Sequence, residues 1–264
     1  MILRAWSVVL SCAVWVVAAA AWAQESPVRT VHVFVALADN QHQGIVPVAA
    51  SLGNGEDAER NLYWGSAYGV KTFFSRSADW ERIRCGEKPK AEVLERCVFK
   101  HRVTNTYLVA DAYRGIEIKQ AVLDFLDSAA GDGAETLSAR GASGAVKLPI
   151  RGGANLVVYI GHDGLMDFQL PRFPQRKNAG HRDAIALACA SKQFFAEPVR
   201  ASGAFPLLWT TGLMAPEAYT LKSALDGWIA AENNEQIRDR AAGAYDKYQK
   251  CGVRAAHRLL VSGW

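Results

Sequence analysis

Beyond its first two dozen residues, the chain has no apolar run approaching the roughly 18 residues that a membrane-spanning helix needs. It has no block of like charge: 30 lysines and arginines are interspersed with 26 aspartates and glutamates, a pattern without a nucleic-acid footprint. Internal repeats and low-complexity arrays are lacking, which excludes solenoids and disordered tails. "GNGED" (Gly53–Asp57) holds glycine and acid but completes neither a phosphate-loop nor a calcium-loop pattern. His162-Asp163 and His181-x-Asp183 offer two histidines and two carboxylates, but at no spacing diagnostic of a metal site, so neither a metal nor a cofactor is expected. Cysteine is scarce, at five residues in 264.

What is present begins with the one long apolar run. Arg4 supplies a positive start, Trp6 to Ala20 is almost wholly apolar, and Ala21-Trp22-Ala23 is a small-x-small cleavage site. Residues 1–23 read as a secretory signal peptide. The expected mature chain, 24–264, is one exported α/β domain with no membrane attachment after signal cleavage, periplasmic or secreted. Its charge balance is 29 basic against 26 acidic side chains. An oxidising compartment permits disulfides. Cys85 and Cys97 flank a short, charged, helix-prone segment and form the best candidate pair, closing a loop that stabilises by about 3 kcal/mol in the chain-entropy model. Cys189 and Cys251 are left as a second pair, as two buried thiols, or as one reactive thiol and a bystander.

"VHVFVALAD" (Val31–Asp39) reads as a buried strand, followed by a long loop near 40–66 that suits either a lid or a packed connection. Residues 69–83 are expected to be helical, with Phe73, Phe74 and Trp80 on the apolar side. "TNTYLVADAYRG" (Thr104–Gly115) is a second strand, and "IEIKQAVLDFLDSAA" (Ile116–Ala130) an amphipathic helix. A Gly/Ala/Ser-rich connection near 128–153, with room for a short β-ribbon, precedes three apolar runs: "NLVVYIG", "DAIALAC" and "PLLWTTG". Helices fill the last 50 residues, one starting at Pro216 and a later one stopping at Gly252. Alternating strands and helices predict a three-layer α/β/α fold with a mostly parallel central sheet. Ligands bind outside the carboxyl ends of such strands. Asp39, Asp111, His162, Cys189 and Thr210-Thr211 are expected at those ends, on one rim.

Two of these residues carry chemistry together. A cysteine nucleophile needs a thiolate, which a nearby imidazole supplies, and the same imidazole later protonates a leaving amine. His162 ends "VVYIGHDG" and Cys189 ends the next apolar run in "IALACAS", 27 positions on. Taken singly, a cysteine between alanines reads as core and a histidine at a strand end as structural. Asp163-Gly164 also suits a simple turn.

These motifs, their order, and "LLWTTGLMAPEAY" (Leu207–Tyr219) after the cysteine resemble the caspase–legumain–gingipain superfamily of cysteine peptidases, most closely its legumain branch. The resemblance spans roughly 104–219. It implies His162 as general acid/base, Cys189 as nucleophile and Gly164 as oxyanion donor. It also implies substrate-binding residues on the rim, for which Asp39, Asp163 and Thr211 are the candidates; an acid there favours a basic substrate group. The expected function is an exported cysteine peptidase-like hydrolase, or a related amidase or transpeptidase, acting on a peptide or protein. The alternative is a non-catalytic exported protein that binds a peptide or glycan on the same fold, for which the aromatic "NLYWGSAYG" (Asn61–Gly69) supplies a platform.

Overall fold

A computed structural model describes residues 27–141 and 144–264. The expected signal peptide, 1–23, lies outside the described residues.

β1 (Arg29–Ala36) is buried along nearly its whole length. The loop after it leads to α1 (Val70–Arg76), β2 (Trp80–Glu87), β3 (Val93–His101) and β4 (Thr106–Tyr113). Next come α2 (Ile118–Ala129), the ribbon β5 (Glu135–Gly141) and β6 (Gly144–Ile150), then β7 (Leu156–Ile160) and β8 (Asp183–Leu187). α3 (Ser191–Ser202), β9 (Phe205–Thr210), α4 (Ala218–Ile229), α5 (Asn234–Gln249), α6 (Val253–Leu259) and β10 (Leu260–Val261) complete the chain.

The sheet has eight strands in the order β10-β9-β8-β7-β1-β4-β3-β2. β4, β1, β7, β8 and β9 run parallel; β3, β2 and β10 are antiparallel edges. Both faces are covered, which is why these strands read as nearly continuous apolar runs. Val31, Val33 and Val35 join Val158, Ile160 and Ile185 in the core under α4 and α5. Phe34, Val157, Tyr159 and Ala186 face the opposite way, under α2 and α3. This is the expected three-layer α/β/α architecture with a mostly parallel sheet.

Two expectations are corrected near the start of the sheet. The helix predicted over 69–83 stops at Arg76, and Trp80 opens a strand. Antiparallel pairing with β3, with a register shift between Arg82 and Arg84, overrides the local helix propensity of this charged segment. The segment between Cys85 and Cys97 is accordingly a hairpin with Pro89 in its connection, and the two cysteines form a disulfide between the paired strands β2 and β3. The Gly-rich connection near 128–153 holds a full two-stranded ribbon. At the C-terminal end, α4 starts two residues after Pro216, and Gly252 precedes α6 as its N-cap.

Candidate functional site at the carboxyl ends of the parallel strands

β7 and β8 are hydrogen-bonded neighbours that run parallel, with Ile160 opposite Leu187. His162 therefore lies two residues past the end of one strand and Cys189 two residues past the end of the next. Both line one cavity of about 290 Å³ that opens on the strand ends.

The backbone of each turn explains its sequence. Gly161 has φ +152°, and a Cβ there would sit 2.9 Å from the carbonyl oxygen of Ala36, so only glycine brings the chain out of β7 beside β1. His162 follows and is 7 % exposed. Its Nε2 lies 2.7 Å from Asp167 Oδ2, and its carbonyl accepts a hydrogen bond from the Tyr159 hydroxyl at 2.7 Å. Because Asp167 offers only acceptors, the neutral ring carries its proton on Nε2 and leaves the Nδ1 lone pair as the basic atom.

Cys189 sits on a sharp strand-to-helix turn. Ala190, which caps α3, has φ +49°, a left-handed conformation that costs a non-glycine residue about 1 kcal/mol or more. The turn is held by two hydroxyls. Thr210 Oγ1 donates to the Ala188 carbonyl and accepts from Ser191 N–H at 3.1 Å, while Ser191 Oγ donates to the Ala186 carbonyl at 2.7 Å. The thiol donates to the Met214 carbonyl at 3.6 Å and accepts from Met214 N–H at 3.4 Å. No hydrogen bond joins the thiol to the imidazole among the described residues; they share the cavity. Cys189 and Cys251 are both free thiols, so the alternative of a second disulfide does not apply.

The remaining wall comes from the loop after β1. Gly44, Ile45, Val46 and Val48 line the cavity from this side. Asn40 pins the loop by donating to the Val48 carbonyl at 2.8 Å and accepting from Val48 N–H at 3.1 Å. Gly44 N–H donates to Asp167 Oδ2 at 3.0 Å, so one carboxylate ties both His162 and the loop. Tyr63 adds a side chain from "NLYWG"; it is buried, and burial, the largest influence, pushes its hydroxyl pKa up.

The other sequence candidates are placed as follows. Asp39 is buried at the end of the first strand, where its Oδ1 accepts from Gln41 and His42 N–H and its Oδ2 lies 2.8 Å from His42 Nδ1. Asp163 is fully buried; its Oδ1 accepts from Leu165 N–H at 3.0 Å and its Oδ2 has no partner. Burial and the nearby Asp167 charge raise its pKa to about 7. Thr211 Oγ1 donates to the Arg258 carbonyl at 2.7 Å. None of these three is among the residues that line the cavity. Neither is Gly164, which is buried, and where a Cβ would meet the Phe168 ring at 2.6 Å. Asp111, expected on the rim, lies inside β4 opposite Phe34, buried between His32 and Arg96. His181 pairs with Asp183 at the amino end of β8, the opposite end of the sheet from His162, so the two His–Asp motifs do not converge.

Sequence reasoning missed Asp167, Tyr63, Thr210 as a brace for the turn, and Met214. The signals were the place of Asp167 five residues after His162 in the same short turn and the place of Tyr63 in the aromatic stretch 61–69; nothing local marks Thr210 or Met214 for these contacts. No family model matches this chain, and neither a curated protein nor a solved structure matches it.

Proposed function

We propose that this protein is an exported cysteine peptidase-like hydrolase of the caspase–legumain–gingipain kind. One observation carries the reading: His162 and Cys189, from the ends of adjacent parallel strands, line the same cavity. In this reading His162 Nδ1 takes the thiol proton, and the α3 N-terminus beside Cys189 favours the resulting thiolate. The thiolate sulfur attacks a peptide carbonyl carbon, His162 returns the proton to the leaving amine, and a water activated by the same ring hydrolyses the thioester. The oxyanion is assigned to the backbone N–H of Cys189 and to the turn after His162, for which Gly164 is the sequence candidate. Asp167 is a positioning residue that fixes the ring's tautomer. Asp39, Asp163 and Thr211, outside the cavity lining and hydrogen-bonded to neighbouring groups, are assigned to holding the rim and not to contact with the substrate.

A second reading, a non-catalytic peptide- or glycan-binding protein, is favoured by the thiol's hydrogen bonds to Met214 in place of one to His162.

Alkylation by iodoacetamide, mapped by peptide mass spectrometry, separates the two. The enzyme reading expects Cys189 to react faster than the more exposed Cys251, and His162→Ala to slow Cys189 about 100-fold, in line with the usual worth of a general base. Cys189 reacting no faster than Cys251, or indifferent to His162→Ala, leaves the binding reading standing instead.

A further inference from the structure

The cavity beside Cys189 differs in character from what an acidic rim suggests. Apart from His162 and the thiol, its walls are apolar side chains, a tyrosine and glycine. Among the described residues, no carboxylate, lysine or arginine lines it. Its volume of about 290 Å³ is roughly twice that of an apolar cavity that admits benzene. At its mouth stand Val46, Leu213 and Met166, exposed by 82 %, 75 % and 46 %. Apolar side chains left in water around a concave site mark surface that a ligand covers. Ile45, Leu62 and Met214 continue the same surface inward to the thiol.

We infer that this cavity receives the side chain on the amino side of the scissile bond, and that the preferred substrate carries a large apolar residue there, of leucine or phenylalanine size. This inference rests on the peptidase reading above and names its substrate class. The physical grounds are burial and charge. A leucine or phenylalanine side chain gains from leaving water against aliphatic and thioether neighbours such as Ile45, Leu62 and Met214. A lysine or aspartate side chain entering the same walls finds no opposite charge and loses its hydration. The acids near the site do not alter this: Asp39 is engaged by His42, Asp163 lies beneath the turn, and Asp167, the nearest, is outside the walls and engaged by His162 and by Gly44 N–H.

Peptidyl acyloxymethyl ketones of the form acetyl-Ala-Ala-Xaa test the inference with the full mature chain. The thiolate displaces the carboxylate from the methylene carbon: a C–S bond forms, the C–O bond breaks, and the carboxylate leaves with the electron pair. The adduct on Cys189 is followed by intact mass and peptide mapping, with Xaa as leucine, phenylalanine, alanine, lysine or aspartate. Leucine or phenylalanine is expected to label at least 10-fold faster than lysine or aspartate, and faster than alanine. Lysine or aspartate labelling as fast as leucine overturns the apolar assignment while leaving the peptidase reading intact. If no peptidyl probe labels Cys189 faster than Cys251, the peptidase reading fails and takes this inference with it. Val46→Asp and Leu213→Asp alter solvent-exposed positions and spare the core, so folding, checked by circular dichroism, is retained. Each is expected to lower the leucine-to-lysine rate ratio at least 10-fold; an unchanged ratio in both puts the side-chain pocket elsewhere.

Discussion

His32 and His162 each bring Nε2 to an aspartate oxygen, at 3.1 Å and 2.7 Å, on the same sheet. His32 lies inside β1 and is fully buried. Its Nδ1 accepts from Arg151 N–H at 3.0 Å, and its partner Asp111 also takes two hydrogen bonds from Arg96, at 2.6 and 2.7 Å. Every polar atom of the ring is engaged, and no solvent reaches it. His162 lies beyond the end of β7, its partner Asp167 is partly exposed, and a cavity with a thiol opens beside it. The same pair of side chains is thus a fastener in one place and a candidate acid–base in the other. What separates them is position along the strand: inside the ladder, the neighbouring strand and the turn at Arg151 engage both ring nitrogens, whereas past its end the ring borders an open cavity.

The comparison is broken most sharply by cutting each pair at its aspartate. Asp111→Ala leaves Arg96 buried without its counter-charge and is expected to destabilise by about 3–5 kcal/mol, read from urea unfolding. Asp167→Ala, at a carboxylate partly in water, is expected to cost less than about 1 kcal/mol, yet to slow Cys189 alkylation, because it frees the His162 ring and releases Gly44. Equal stability losses in the two variants would erase the distinction between fastener and site.

The contrast also explains what was legible beforehand. The parallel strands were readable because burial on both faces leaves an unbroken apolar run, as in Val31–Ala36 and Leu156–Ile160. The positions of His162 and Cys189 at neighbouring strand ends were readable because each follows an apolar run that closes on small residues. Asp111 misled for the same reason: an acid near the end of an apolar run looks like a rim residue, and only its pairing with Arg96 from β3 shows that it is internal. The region around Cys85 was misread because a charged segment favours a helix locally, while pairing of β2 with β3 is a long-range matter. The cavity's apolar wall was invisible. Val46, Met166 and Leu213 come from three loops, and nothing in their local sequence announces a shared surface.

A pH series sharpens the comparison from the buried side. Burial, the largest influence, holds the His32 pKa below its ordinary value, against the opposing pull of Asp111. The folded protein keeps His32 neutral where the unfolded chain protonates it near pH 6.5. This stability is therefore complete above about pH 6.5 and declines as pH falls below it, by up to about 1.4 kcal/mol per pH unit for one proton. His32→Gln is expected to flatten the slope between pH 6.5 and 5 in urea unfolding. A slope that survives the substitution assigns the acid sensitivity to other groups.

Asp163 gives the smallest effect and the one that bears most directly on the site, since it adjoins His162 without lining the cavity. Its raised pKa, about 7, comes first from burial and then from the Asp167 charge, opposed by the hydrogen bond from Leu165 N–H. The sign is opposite to that of His32. Between about pH 4, where the unfolded chain's carboxyl ionises, and pH 7, the folded state holds a proton that the unfolded state has lost. Stability from this group is fullest below about pH 4, falls as pH rises to 7, and is level above that. Asp163→Asn keeps the acceptor for Leu165 N–H and removes the buried charge, but leaves amide N–H groups where Oδ2 already lacks a partner. The unpaired amide N–H groups offset most of that relief, so the net gain is expected to be about 1 kcal/mol at pH 8 and to turn into a net loss by pH 4, where the carboxyl is protonated in both states and only the cost of the amide remains, measured as the shift in urea midpoint. A gain of equal size at both pH values would mean that charge is not what Asn relieves, and a loss at pH 8 would mean that the Asp163 carboxylate is bound by a group that the buried turn does not show.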